Sequence, residues 1–253
     1  MITDPIFYAV AAFAVVIWGI SKAGFGGGLG LISVPMLTLV IPPLEAAAIM
    51  LPILCVMDLF GIWGYRRTWR RDAMGVLFAG VVLGTIVGAL TFGSVDEAVL
   101  RLVIGVMAVG FSIQFFVARD PLSKGTPPGP AVGFAVAATA GVSSFIIHAG
   151  ALPLLAIYLL PQRLDKTLYV GTAMIFVAMV NFAKIPPYAM LGLFTREALQ
   201  TALVLMPFAP IGIWLGMWLH KRIPERHFTQ LVNGIVVLIG IKLIHDAVVS
   251  LGA

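Results

Sequence analysis

Between Ile20 and Gly30 the chain reads Ile-Ser-Lys-Ala-Gly-Phe-Gly-Gly-Gly-Leu-Gly, a serine and a lysine followed by five glycines in seven positions. Residues of these types supply positive charge and hydrogen-bond donors, the chemistry that holds a small anion. Glycines at a helix start leave backbone N–H groups free, and the positive end of the helix dipole adds to them. Ser21, Lys22, Gly24, Gly26, Gly27 and Gly28 are therefore candidate substrate-binding residues, with Leu29–Ile41 as the short helix whose positive end faces the anion. The plainer alternative is that these glycines only let helices pack closely. Lys22 favours the binding reading, because a lysine deep in hydrocarbon is costly without water, a partner or a ligand.

A second group lies at Ser143, Ser144 and His148. His148 is the only histidine inside an apolar stretch. It reads either as a satisfied buried side chain or as an anion ligand that gains a proton when the anion binds. Asp58 sits about two turns before a basic patch. It pairs with Arg66 or Arg67 near the interface, or serves as a proton-coupling carboxylate. Asn181 occupies the matching span of the second half and can turn its amide toward a central cavity.

Other chemistries lack their parts. Gly24, Gly26 and Glu45 loosely mimic a dinucleotide fingerprint, but no strand precedes them and no βαβ unit surrounds them. No Lys-Ser/Thr pair follows the glycines, so a phosphate-binding P-loop fails. The single cysteine, Cys55, offers neither a disulfide nor a metal-ligand pattern. No nucleophile–base set is present, so the expectation is a protein that is not an enzyme and carries no cofactor or metal.

These side chains need elements to position them, and composition dictates the kind. Of the 253 residues 60% are hydrophobic and 11% charged, against roughly a quarter charged in soluble domains. Uncharged stretches of spanning length recur at Gly24–Leu44, Ala73–Val95 and Ala198–Leu219. The runs are apolar all round, unlike the alternating segments of a β-barrel. The expected fold class is all-α: a polytopic protein of the inner membrane whose partner is the lipid bilayer. The net charge of +5 falls in short links between spans, which fits orientation in a membrane rather than nucleic-acid binding. The N-terminus lacks a basic region followed by a cleavage site and reads as mature sequence.

Along the chain, Ile6–Gly19 and Leu31–Ile41 flank the glycine break, each too short to span alone. Full spans are predicted at Leu44–Tyr65, Ala73–Phe92 and Ala98–Val117. Residues 121–130 form a cytoplasmic link. The second half repeats the layout. Ala131–Leu160 is broken at Gly141–Gly150, then come a span ending near Lys184, a wetter connection Ile185–Glu197, a span to Leu219, and Phe228–Val249. Prolines 35, 52, 153, 207 and 210 bend apolar elements. Sliding the sequence by 118 places Pro35 over Pro153, Pro43 over Pro161 and Arg66 over Lys184, and sliding it by 129 places Asp96 over Glu225, Leu102 over Leu231 and Gly105 over Gly234. Residues 1–120 and 131–253 are thus expected to be two repeats, each a broken or re-entrant element plus three full spans.

The positive-inside rule then chooses an orientation. With re-entrant breaks, eleven basic residues fall inside and three, namely Arg101, Lys184 and Arg196, fall outside. With breaks that cross once, the division is eight against six. The first is preferred. Three crossings per half make the repeats inverted, with both termini outside.

The apolar first helix, the run Gly24-Phe25-Gly26-Gly27-Gly28-Leu29-Gly30, Pro35 downstream, the basic link after the second element and the duplicated halves together resemble the TauE/SafE sulfite exporter family of membrane permeases. The resemblance covers nearly the whole chain. It implies an integral membrane carrier of sulfite, sulfoacetate, a related organosulfonate or another small sulfur-containing anion, and it carries the glycine motif onto Gly24, Gly26, Gly27 and Gly28. The family's second glycine-rich motif is replaced here by Gly141–Gly150, where hydroxyls and an imidazole stand in for backbone donors. An inward-negative potential favours anion export. Uptake would need co-transported protons, for which Asp58 and His148 are the candidates. The alternatives are a passive small-anion channel, or a proton-coupled importer of another small anion. The sequence leaves the oligomeric state open.

Overall fold

The computed structural model describes residues 5–24, 37–38, 40–92, 128–147, 151–162, 164–220 and 225–251, with scattered positions between 96 and 113. The described residues are helical almost throughout. The helices are α1 (Pro5–Gly24), α2 (Pro43–Tyr65), α3 (Met74–Phe92), α4 (Pro130–Ile147), α5 (Ala151–Leu159), α6 (Lys166–Met190), α7 (Arg196–Leu205), α8 (Phe208–His220) and α9 (Glu225–Leu251). A 3-10 turn, Leu160–Gln162, closes α5.

Four of them, α1, α2, α3 and α6, are long and apolar enough to cross a membrane, and α7 with α8 makes a fifth bent by 40°. The protein is a multi-pass membrane protein. Local sequence explains the boundaries. Pro43 opens α2 at a position whose N–H would have no helical partner. The Asp165 carboxylate accepts from the Thr167 and Leu168 N–H groups at 3.1 and 3.0 Å and so caps α6. The Thr195 hydroxyl accepts from Ala198 N–H at 3.1 Å and starts α7.

Several boundaries differ from the sequence expectation. Helix α1 does not stop at Gly19 but runs on through Ser21, Lys22 and Ala23 to Gly24. Its 20 residues are no short flank. Helix α4 continues through Gly141, Ser143 and Ser144 to Ile147, so any break in the second half begins only after that. Residues 185–187, read as a wet connection, are helical; α6 runs through Pro186 and Pro187 to Met190. The expected continuous span to Leu219 is bent at Met206–Pro207, as a proline inside an apolar element predicts. Gly26, Gly27, Gly28 and His148 lie outside the described residues, as does most of the expected span Ala98–Val117.

Two apolar cores result. One joins α1 and α2 to α7 and α8 through Val15, Ile49, Leu54, Ala202 and Ile213. The other joins α3, α4, α5 and α6 through Leu77, Val81, Ala140, Leu155 and Phe176. Both contain a glycine-mediated crossing. A Cβ on Gly19 would lie 2.7 Å from Gly212 Cα, and one on Gly212 would lie 2.7 Å from the Val16 carbonyl oxygen. On the other side, a Cβ on Gly141 would lie 2.8 Å from the Val81 carbonyl oxygen, and Gly84 abuts Ala138. Backbones this close leave no space for a side chain. Between the cores, Ala47, Leu51, Cys55, Phe92, Phe145 and Tyr188 form a third cluster.

Candidate functional site

Polar side chains from both cores converge where α1, α2, α4 and α6 meet. Lys22, in the last turn of α1, is 1% exposed and Asp58 of α2 is fully buried. The two form an ion pair. Asn181 of α6 donates its amide N–H to the other oxygen of the Asp58 carboxylate at 2.7 Å. Both carboxylate oxygens are therefore engaged, the condition under which a buried pair holds its geometry. Asp58 is drawn to Lys22, not to Arg66 or Arg67 as one sequence reading had it. The α2 helix carries Asp58 inward, while Arg66 and Arg67 are exposed at its end.

One turn along α6 from Asn181 stands Lys184, fully buried. Its ammonium donates to the Ser144 hydroxyl at 3.0 Å and to the Ser144 carbonyl at 3.3 Å. A further turn on, the Tyr188 hydroxyl donates to the Phe145 carbonyl at 2.9 Å. The Ser144 and Phe145 carbonyls belong to the last turn of α4, where no helical N–H remains for them within the helix. Lys184 and Tyr188 thus cap α4, and the negative end of its dipole favours the ammonium. Sequence reading placed Lys184 at a membrane face and missed it. The signal available was the 181, 184, 188 spacing of polar residues along one helical face.

The rest of the expected set sorts simply. Ser21 is buried beside Lys22, Ser144 is buried against Lys184, and Ser143 is half-buried. Gly24 ends α1. The structure therefore brings Ser21, Lys22, Asp58, Asn181 and Ser144 to the helix ends and central faces of one region, and adds Lys184. Phe92, Phe145, Tyr188 and Phe194 stack beside it, the Phe145 and Tyr188 ring centres 5.0 Å apart and nearly perpendicular. Cys55 is buried in the same cluster.

The buried charges of the region are unequal in number. The region holds two buried lysines and one buried carboxylate, the only buried acid among the described residues. Such a region formally carries one positive charge beyond its own counter-ion. Among the described residues no three His, Cys, Asp or Glu side chains gather into a metal-binding group. A family model described as "Sulfite exporter TauE/SafE" matches residues 11–243. The chain belongs to the TauE/SafE family. It is accordingly a transporter-type membrane protein, and the buried lysines sit within the matched region. Neither the curated proteins nor the solved structures contain a match to the chain.

Proposed function

We propose that this TauE/SafE protein is a secondary carrier that moves a small sulfur-containing anion, such as sulfite, sulfoacetate or a related organosulfonate, out across the inner membrane. The observation that carries this reading is Lys184: a fully buried ammonium held by one serine and no carboxylate among the described residues. An unpaired charge in the hydrocarbon region is costly enough to mark a functional position. A bound anion would supply the missing charge. Sulfur oxyanions also need several donors around their oxygens, and Lys184, Ser144, Ser143, Ser21 and Lys22 offer that type. On the sequence reading, Gly24, Gly26, Gly27 and Gly28 and the His148 imidazole belong to the same proposed site. A co-transported proton would have one buried carboxylate to occupy, Asp58.

The repeat architecture belongs to the same proposal. Gly19 crosses Gly212 and Gly141 crosses Gly84, so the first helix of each half packs on the second full span expected of the other. Asp58 and Asn181 stand at equivalent depths on α2 and α6. Two inverted repeats wrapped around a shared central site are a recurrent carrier plan.

The test is counterflow in proteoliposomes. Radiolabelled sulfite is followed into vesicles preloaded with unlabelled sulfite, thiosulfate, sulfoacetate, sulfate or lactate. Saturable exchange with sulfur anions but not lactate is expected, and Lys184→Met abolishes it while the protein elutes as the folded species. Exchange with no sulfur anion would overturn the substrate. Flux that follows the gradient without counterflow would make the protein a channel.

A further inference from the structure

We infer a binding site for an anionic phospholipid on the outer face of α3 and α6, distinct from the central lysines and independent of the proposed cargo. A groove of about 730 Å³ opens between these helices. It runs from Ile62, Phe78 and Ile175 at one end to Leu90, Pro187 and Met190 at the other, and Thr85 is the single polar side chain in its lining. From Phe78 to Leu90 it covers about 18 Å of helix, on the scale of one leaflet of a roughly 30 Å hydrocarbon core. Both helices are of spanning length, so the groove faces the depth at which acyl chains lie.

One end of the groove is basic. Arg66 follows Ile62 by one turn on the same side of α2, and its guanidinium lies 5.3 Å from the ring centre of the exposed Trp63. The link that follows is pinned over the same end: Arg70 N–H donates to the Thr172 hydroxyl at 3.0 Å, and Thr172 lies one turn before the groove residue Ile175. Arg70 is taken by Asp72 and Gln162, and that hydrogen bond from Arg70 holds the Asp72 carboxyl below its ordinary range. Arg66, Arg67 and Arg71 have no acidic partner among the described residues and are exposed. An apolar channel of leaflet length that ends beside Arg66 and the exposed Trp63, with Arg67 and Arg71 exposed on the link that follows, matches an acyl chain joined to a negative headgroup.

The test uses the full-length protein in mild detergent, titrated with phosphatidylglycerol or phosphatidylcholine, with bound lipid counted by native mass spectrometry. Phosphatidylglycerol is expected to be retained at roughly thirtyfold lower concentration, as two surface arginines would confer. Arg66→Gln with Arg67→Gln should bring the two lipids to within about twofold of each other. Ile86→Trp, which fills the groove from a half-exposed position, should weaken both lipids alike. Lys242→Gln, on the distant α9, should change neither. Equal retention of the two lipids by the unaltered protein would overturn the site, as would a preference that survives the arginine changes. A lipid-free dimer that Ile86→Trp disperses would assign the groove to a second copy instead.

Discussion

Lys22 and Lys184 are buried to nearly the same degree and kept in different company. Lys22 lies in the last turn of α1 and faces a carboxylate that Asn181 holds in place. Lys184 lies in the body of α6 and faces only the hydroxyl and carbonyl of Ser144. The first arrangement balances its charge and binds α1 to α2 and α6. The second satisfies hydrogen bonds and leaves a charge over. A buried lysine with a counter-ion is structural until something displaces its partner, while one without a counter-ion is open to an incoming anion. In the proposed carrier the two lysines share the work unequally: Lys22 chiefly holds the helices together and Lys184 chiefly meets the cargo.

Breaking the balanced side should have the largest effect on stability. Asp58→Asn leaves Lys22 as an uncompensated buried charge and should cost about 3–5 kcal/mol, read as a large fall in the thermal midpoint in detergent. Adding Lys22→Met should restore much of that loss, and a double variant no more stable than Asp58→Asn would show that the pair is not what matters. On the unbalanced side the order inverts. Lys184→Met forfeits hydrogen bonds of a charged donor, about 1.5–3 kcal/mol, yet should eliminate counterflow. Should transport survive in Lys184→Met at the unaltered rate, the division between the two lysines falls.

Ser144→Asp sharpens the comparison, because it sets a carboxylate beside Lys184, where the Ser144 hydroxyl now accepts at 3.0 Å, and cancels the surplus charge. Unfolding should shift little, while anion counterflow should drop by about tenfold, the effect of roughly 1.4 kcal/mol of lost attraction. Tyr188→Phe is the mildest change. It removes the donor to the Phe145 carbonyl while the ring remains in its stack, for about 1 kcal/mol. A scanning-calorimetry shift comparable with that of Lys184→Met would mean that capping α4, rather than charge, is the main task of this face.

Much of this was legible in the sequence, and the failures have physical causes. Lys22, Asp58, Ser144 and Asn181 stood out as polar residues in apolar runs. Their partners did not, because Asp58 lies 36 positions from Lys22 and 123 from Asn181. Residues that far apart meet only through tertiary packing. Lys184 was hidden by a rule that usually works. A lysine followed by two prolines reads as the end of a span, yet α6 carries both prolines and continues to Met190. The crossing glycines at 19 and 141 and at 84 and 212 were not used for the proposed repeat. They stand 122 and 128 apart, between the offset of 118 read from prolines and charges in the earlier part of each half and that of 129 read in the later part. Close backbone crossings are the stricter markers of such a repeat, because prolines and charges at helix ends tolerate several residues of drift. The spans themselves were readable because apolar length is set by the bilayer.

The Gly19–Gly212 crossing also sets a timetable for the growing chain. Its two partners are separated by about 190 residues, and at roughly 5–20 residues per second α1 leaves the ribosome some 10–40 s before α8. The α3–α4 crossing has a far shorter wait, since Gly84 and Gly141 are synthesised close together. One half of the molecule can close while the first helix still stands in lipid with its glycine face uncovered. The N-terminal helix is then the last large surface to be sealed, and its lysine must find Asp58 well before α8 arrives.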